Sequence, residues 1–169
     1  VAILRNQQQT LMAISPALRP AVAILDPDAT ASLAPPQLTA GLVEPLARVI
    51  VPGVTGAPLL LQDRLAATLC QILLTLGEQA VASPPNASWR LTAALTSAQT
   101  HTAFLALGRS PFGHILWPFA TEIMAATGVS KAVALQGLLP AWLAGIGGGC
   151  LGAAFGCADR VQSILGGDP

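Results

Sequence analysis

The chain has 169 residues, of which 53% are apolar and only 9% are charged. Its basic and acidic side chains cancel, eight against eight, which excludes electrostatic attraction to nucleic acid or to an anionic membrane surface. Because an ordinary soluble domain has about 25% charged residues, this chain is expected to hide apolar surface against another protein or against lipid.

Residues 1–36 predict one or two short strands and a connector. Residues 1–4 form one candidate strand. The apolar run at 20–25 predicts a buried strand that ends at the turn Asp26-Pro27-Asp28. The segment 33–37 contains Pro35 and Pro36 and is predicted as a connector, because proline donates no backbone hydrogen bond.

The remainder, 37–169, predicts one helical domain, so the fold class is mostly α. Asn86 and Ser130 are interpreted as helix caps, and Pro140 is expected to kink or end the helix that Ser130 begins. The periodicity and the helix breakers place helices at about 37–51, 58–81, 86–107, 114–126, 130–140 and 158–165.

The helix predicted at 58–81 is apolar on most of its faces, which is typical of a largely buried helix. Its narrow polar stripe comprises Arg64, Thr68, Gln71, Thr75 and Glu78.

The cysteine pattern favours a reducing compartment. The three cysteines form no CxxC pair, and no leader of secretory type opens the sequence, so reduced thiols and a cytoplasmic location are expected. Cys70, Cys150 and Cys157 are interpreted as small buried apolar side chains. Asn86 fits a glycosylation sequon, but without secretion the interpretation as a cap is preferred.

An integral membrane protein is one possible interpretation of the low charge. The stretch 132–158 has no charged residue and is long enough to cross a bilayer. However, it contains Gln136, Pro140 and several glycines, and the long helices before it carry polar side chains. The sequence therefore disfavours a membrane location.

Four short segments stand in a characteristic order. The strand and Asp-Pro turn at 20–33 come first, followed by Thr-Ala-Gly-Leu-Val-Glu at 39–44, Gly113-His114 and Leu138-Leu139-Pro140. Over residues 20–142 they resemble the helical metal-binding domain of the iron-containing alcohol dehydrogenase and dehydroquinate synthase superfamily. The resemblance implies a helical bundle and, in that family, a divalent metal held by an acidic residue and histidines.

Most positions that the resemblance assigns to metal ligands carry other residues. Glu44 matches the acidic ligand, and His114 matches the first histidine of the Gly-His segment. The other ligand positions hold Arg48, Pro118 and Lys131. Four of these five positions are interpreted as a vestigial metal site: Glu44, Arg48, His114 and Lys131.

Charge and donor chemistry argue against a metal at these positions. A divalent site needs neutral imidazoles or anionic oxygens, whereas Arg48 has no free lone pair and stays protonated. Lys131 would have to lose its proton, which is costly at neutral pH. We therefore expect an ion-pair network with no cofactor, in which Glu44 and His114 remain weak candidate ligands.

The nucleotide-binding half of such an enzyme has no counterpart in the sequence. No glycine-rich phosphate loop follows a predicted strand, and the triple glycine at 147–149 lies in a late apolar segment. The family continues with further helices after the Leu-Leu-Pro segment, so the domain is interpreted as truncated and degenerate. No activity is expected of the chain on its own.

The remaining candidates for chemistry are weak. His101 is interpreted as a polar helix residue, and neither Ser97 nor Ser110 has an evident base for a hydrolase triad. The tryptophans are interpreted as core or interface anchors: Trp89, Trp117 and Trp142.

Three functions follow as hypotheses. The first is a non-catalytic accessory subunit that stabilises or positions a partner, either a full-length dehydrogenase homologue or another enzyme of a biosynthetic pathway. The second is one half of a split metal- and nucleotide-dependent enzyme, in which Glu44 and His114 still act. The third is a small integral membrane protein. A homo-oligomer is compatible with the first two.

Overall fold

The computed structural model describes residues 2–5, 10–13, 17, 20–109, 115–151 and 155–166. Within these residues the chain is mostly α-helical, as the apolar periodicity predicts. Two short strands, β1 (Ala2–Arg5) and β2 (Thr10–Ala13), pair antiparallel near the N-terminus, with Ala2 opposite Ala13 and Arg5 opposite Thr10.

The prediction of a buried strand at 20–25 is wrong. This segment has no regular secondary structure, and Val22 and Ile24 are 76% and 88% exposed. An apolar run becomes a strand only where a neighbour satisfies its backbone groups, and the sheet in the described part of the chain consists of β1 and β2 alone. The turn that follows is confirmed, because the amide of Asp28 donates to Asp26 Oδ1 at 2.8 Å and opens a 3-10 turn at Asp28–Thr30.

Helix α1 (Pro35–Thr55) is longer than the predicted 37–51. Its two leading prolines occupy the first turn, where amide hydrogens have no partner within the helix, so they start α1 instead of forming a connector. The helix also continues through Pro45 and Pro52. Val51 and Val54 are almost fully buried, so packing outweighs the backbone hydrogen bond that Pro52 removes.

Helix α2 (Leu60–Ala82) lies close to its predicted bounds, whereas the helix predicted at 86–107 is divided. α3 (Ala87–Gln99) ends before Thr100, and a short α4 (Ala103–Ala106) follows. The hydroxyl of Thr100 donates to the Ser97 carbonyl at 2.7 Å. Such local side-chain bonds compete with continuation of a helix, and periodicity alone does not detect them.

The C-terminal helices are α5 (Leu116–Thr127), α6 (Lys131–Gly147) and α7 (Ala158–Leu165). Gly128 ends α5 in the left-handed region at φ 75°, where glycine has no steric penalty. α6 continues through Pro140, so of the two predicted outcomes, a kink or an end of the helix, the end is wrong.

Two side-chain caps were predicted and both are confirmed. Asn86 Oδ1 accepts from the amide of Trp89 at 2.9 Å. Ser130 Oγ accepts from the amide of Val133 at 3.4 Å. Each cap satisfies one of the backbone donors that a helix leaves free in its first turn.

α1 lies at the centre of the helical part and contacts α2, α3, α6 and α7. The main core joins α1, α2, α5, α6 and α7, and a smaller cluster joins α1, α2 and α3. Trp89 and Trp142 are buried. Their indole nitrogens donate to the carbonyls of Leu76 at 2.9 Å and Phe155 at 3.0 Å, so both act as core anchors.

Burial of the cysteines is only partly as predicted. Cys70 is buried in the main core, whereas Cys150 and Cys157 are exposed, and all three are free thiols. The prediction of three small buried side chains is therefore wrong for the latter two. Both lie in the glycine-rich segment 148–157 between α6 and α7, which periodicity does not assign to a face.

Candidate functional site

The side chains of Glu44, Arg48 and Lys131 meet where α1 lies against the start of α6. Glu44 Oε1 is 2.7 Å from Arg48 Nη2 and 2.9 Å from Lys131 Nζ. Arg48 lies one turn after Glu44 on the same face of α1, and Lys131 is the first residue of α6. We call these three residues the Glu44 cluster.

A second contact of Arg48 ties the Glu44 cluster to the end of α3. Arg48 Nη1 donates to Thr100 Oγ1 at 3.2 Å and lies 3.5 Å from His101 Nδ1. His101 Nδ1 is also 3.0 Å from the Ser97 carbonyl. A carbonyl only accepts, so a hydrogen on Nδ1 satisfies the shorter contact with Ser97, whereas a hydrogen bond from Arg48 requires the other tautomer. His101 is exposed.

The Glu44 cluster is only partly shielded from water. The side chains of Arg48, Glu44 and Lys131 are 15%, 26% and 27% exposed. Burial lowers the pKa of the Arg48 guanidinium, although the charge and hydrogen bond of Glu44 oppose that shift. Two cations share one carboxylate, so the local formal charge is positive and the anionic oxygen that would bind a metal is already engaged.

His114, the fourth residue of the predicted vestigial site, lies outside the described residues, as does Ser110. Among the residues that the structure does describe, no group of three or more His, Cys, Asp and Glu side chains is positioned to hold a metal ion. Pro118, at a position that the resemblance assigns to a histidine, is exposed in the first turn of α5.

A second ion-pair cluster, which the sequence did not reveal, joins Asp63, Arg109 and Arg160. Arg160 donates from both terminal nitrogens to the two oxygens of Asp63, each at 2.7 Å. Arg109 Nη2 donates to Asp63 Oδ1. Arg160 Nη2 also donates to the Gly53 carbonyl at 2.8 Å. This Asp63 cluster therefore joins α1, α2, α7 and the segment after α4.

The Asp63 cluster is the more deeply buried of the two. The Arg109 side chain is 2% exposed, while Asp63 and Arg160 are 14% and 13% exposed. Burial alone would raise the pKa of Asp63. The hydrogen bond from Arg160, the bond from the Leu59 amide and the charges of both arginines outweigh burial, so the pKa of Asp63 is lowered.

Two donors of the Asp63 cluster remain unsatisfied. Nε of Arg109 and Nε of Arg160 are both buried and have no hydrogen-bond partner among the described residues. The pKa of Arg109 is lowered by burial, which the charge of Asp63 partly offsets. The pKa of Arg160 is raised, chiefly by its hydrogen bond to Asp63. The negative charge of Asp63 therefore offsets the free-energy cost of burying two guanidinium groups.

A groove of about 630 Å³ runs between α2 and α3. Hydroxyl and amide side chains from the polar stripe of α2, including Thr68, Gln71 and Thr75, form one wall. Ser88 and Thr92 of α3 contribute to the other. Its described lining carries no charged side chain and offers neither an acid, a base nor a nucleophile activated by a neighbour.

In the part of the chain that the structure describes, two helices, α1 and α2, are long and apolar enough to cross a membrane by length and composition alone. In the most apolar window of each helix, 50% of α1 but only 28% of α2 is buried inside the protein. A buried core helix passes the same test, so α1 is explained by the core, whereas the outer face of α2 still needs an explanation.

Comparisons with protein-family models, with curated proteins and with solved structures found no match to this chain. The resemblance to the iron-containing alcohol dehydrogenase superfamily therefore rests on the residues alone.

Proposed function

We propose that the protein is a non-catalytic accessory subunit, derived from a helical domain of the iron-containing alcohol dehydrogenase type, that binds and stabilises or positions a partner enzyme. The observation that carries the proposal is the Glu44 cluster. At positions that the resemblance assigns to metal ligands, Arg48 and Lys131 place their charged ends within 2.9 Å of Glu44. Fixed cations there take over the neutralising role of a metal.

Exposed apolar surface supports the binding of another protein. Large apolar side chains from separate parts of the chain face solvent, among them Val22 and Ile24 before α1 and Phe119 on α5. Single exposed apolar residues are common, but a chain with 9% charged residues has little polar surface to separate them. The proposed partner is a full-length dehydrogenase homologue or another biosynthetic enzyme in the cytoplasm.

The ancestry half of the proposal is tested by rebuilding the metal site. The double substitution Arg48→His and Lys131→His removes both cations and places two imidazoles beside Glu44. If these are ligand positions, the variant binds Zn²⁺ that the unaltered protein does not hold, because imidazole and carboxylate are suitable donors. The measurement is metal content by mass spectrometry after dialysis against a Zn²⁺ buffer.

The matched control carries Glu44→Gln in the same double variant and is expected to lose the Zn²⁺. Zinc binding that persists in this control would come from elsewhere on the surface and would contradict the assignment. One tightly held transition metal per chain in the unaltered protein would overturn the proposal of a non-catalytic site.

The accessory role is tested on a purified two-chain complex from the native host. We expect a partner that supplies its own nucleotide-binding and catalytic residues, with activity unchanged by His114→Ala while the complex stays intact by native mass spectrometry. Loss of activity in an intact complex would instead favour the split enzyme, with Glu44 and His114 in the reaction.

The apolar outer face of α2 is the observation that favours the membrane alternative. Arg64, Gln71 and Glu78 are nevertheless exposed along this helix, and such side chains are costly in a bilayer core. A protein that remains in solution without detergent after removal of membranes supports the accessory role, whereas recovery only in detergent would support the alternative.

A further inference from the structure

The outer face of α2 carries opposite charges placed symmetrically about its centre. Arg64 lies seven residues before Gln71, and Glu78 lies seven residues after it. Seven residues are close to two full helical turns, so the three side chains share one line along the helix. Arg64, Gln71 and Glu78 are all exposed.

These two charges are unpaired within the described part of the protein. Asp63, the remaining charged residue of α2, belongs to the Asp63 cluster, and Arg90 of α3 donates to the carbonyls of Pro27 at 2.9 Å and Pro85 at 2.6 Å. The salt bridges within the described residues include neither Arg64 nor Glu78. In a chain with so few charges, both are available to a partner.

An apolar line runs beside the charged line with the same spacing. It consists of Leu60, Ala67, Leu74 and Val81. The two residues at its ends, Leu60 and Val81, are 77% and 85% exposed. These are large apolar surfaces to leave in water at the two ends of one helix.

Each line is complementary to its own copy when α2 of a second protein chain packs antiparallel against this face. With Gln71 at the two-fold axis, Arg64 of one copy lies opposite Glu78 of the other, and the symmetry repeats this pair on the far side. The same overlap brings Leu60 level with Ala82, one residue from Val81, and Ala67 level with Thr75, one residue from Leu74, so the two apolar lines lie within about 1.5 Å of exact register. A two-fold axis between antiparallel helices brings the same flank of each together, so the apolar line meets its own copy.

We infer that the outer face of α2 binds a second copy of this chain, forming a two-fold symmetric homodimer with antiparallel α2 helices. The charge pairs set the orientation, because a parallel arrangement in register would place Arg64 against Arg64 and Glu78 against Glu78. The Arg64 and Glu78 positions are about 21 Å apart along the helix axis, so the two pairs bracket the contact. This goes beyond the proposed function, which concerns a different protein.

The test is a charge exchange followed by analytical ultracentrifugation. Arg64→Glu and Glu78→Arg each turn both attractive contacts into repulsive ones, and each single variant is expected to weaken the dimer about ten-fold or more. An equimolar mixture of the two variants restores both attractions, so it forms heterodimers. The double variant carrying both substitutions restores the homodimer.

Glu122→Arg is the matched control, because Glu122 is exposed on α5, outside the proposed interface. It is expected to leave the dissociation constant unchanged. Circular dichroism of each variant separates a loss of dimer from a loss of fold.

Three results would overturn the inference. They are an unaltered protein that stays monomeric at every concentration, single variants that dimerise as well as the unaltered chain, and single variants whose mixture fails to pair although each is folded. A monomer that associates only with a different protein, or only with lipid, would assign the face to that occupant. None of these results bears on the Glu44 cluster, so failure here leaves the proposed accessory role to its own test.

Discussion

The Glu44 cluster and the Asp63 cluster have the same composition of charge but different surroundings. Each holds one carboxylate between two cations. Glu44 uses a single oxygen to accept from Arg48 and Lys131 and is 26% exposed. Asp63 uses both oxygens, accepts an additional backbone bond from Leu59 and is 14% exposed.

The difference shows that similar ion pairs serve different roles in one small domain. A partly exposed pair exchanges hydration for a weak attraction and contributes little to stability. A buried, bidentate cluster contributes mainly by preventing unpaired charge in the interior. The Asp63 cluster is therefore expected to maintain the packing of four segments, whereas the Glu44 cluster occupies a site without being required for the fold.

The largest expected effect follows from Asp63→Asn. The substitution keeps the shape but leaves the guanidinium groups of Arg109 and Arg160 buried beside a neutral amide, and removal of one partner of a buried charge cluster costs about 3–5 kcal/mol. The measurement is the free energy of unfolding in urea by circular dichroism. Asp159→Asn, at an exposed position in the first turn of α7, is the control and should cost well under about 1 kcal/mol.

Cys70 provides a second readout of the same variant. Burial raises the pKa of its thiol to about 12, so in the folded protein it reacts far more slowly with a maleimide than the exposed Cys150 and Cys157. In Asp63→Asn, labelling of Cys70 is expected to accelerate. Unchanged protection of Cys70, together with unchanged urea stability, would show that the Asp63 cluster is dispensable.

The second-largest effect is expected from acidification, which protonates Asp63. The pKa of Asp63 in the folded protein lies below its value in the unfolded chain, which is about 3.9. The ionised carboxylate therefore stabilises the fold above that pH, and the stabilisation is lost as the pH falls from about 4 through the folded-state pKa. Urea titrations between neutral pH and pH of about 3 should show a decline that is shallower in Asp63→Asn. Parallel declines in the two proteins would exclude Asp63 as the cause.

How much of this could be predicted from the sequence differs between the two clusters. Glu44 and Arg48 are one helical turn apart, so spacing alone places them on one face, and the resemblance added Lys131. Asp63 meets Arg109 across 46 residues and Arg160 across 97, which no local pattern encodes. One signal was available: Asp63 lies off the polar stripe of α2, its neighbours one turn away are Leu60, Ala66 and Ala67, and a buried carboxylate requires a cation.

The predictions of secondary structure divide in the same way, into features set by local sequence and features set by distant contacts. Helices that depend on local periodicity and caps were predicted, and α7 was predicted to the residue. Errors occurred where tertiary packing or hydroxyl groups decided the outcome, as at Pro52 within α1 and at Thr100 after α3. The segment 20–25 failed for a related reason, because its strand required a neighbour that local sequence does not specify.

A smaller effect is expected from Glu44→Gln. The substitution leaves Arg48 and Lys131 facing each other without their carboxylate, but both retain access to water, so the cost is about 1–2 kcal/mol. The comparison is with Glu122→Gln on α5, which should be neutral. A loss as large as that of Asp63→Asn would show that the Glu44 cluster is also essential for folding, and the distinction between the clusters would fail.

The smallest effect is expected from Lys131→Gln, and it separates charge from packing within the Glu44 cluster. The substitution removes one of two cations and leaves Glu44 paired with Arg48 at 2.7 Å, so the cluster becomes neutral and no charge is left unpaired. Because Lys131 is 27% exposed, we expect a change in unfolding free energy within about 1 kcal/mol. A cost as large as that of Glu44→Gln would contradict this expectation, because it would show that Arg48 alone does not balance the charge of Glu44.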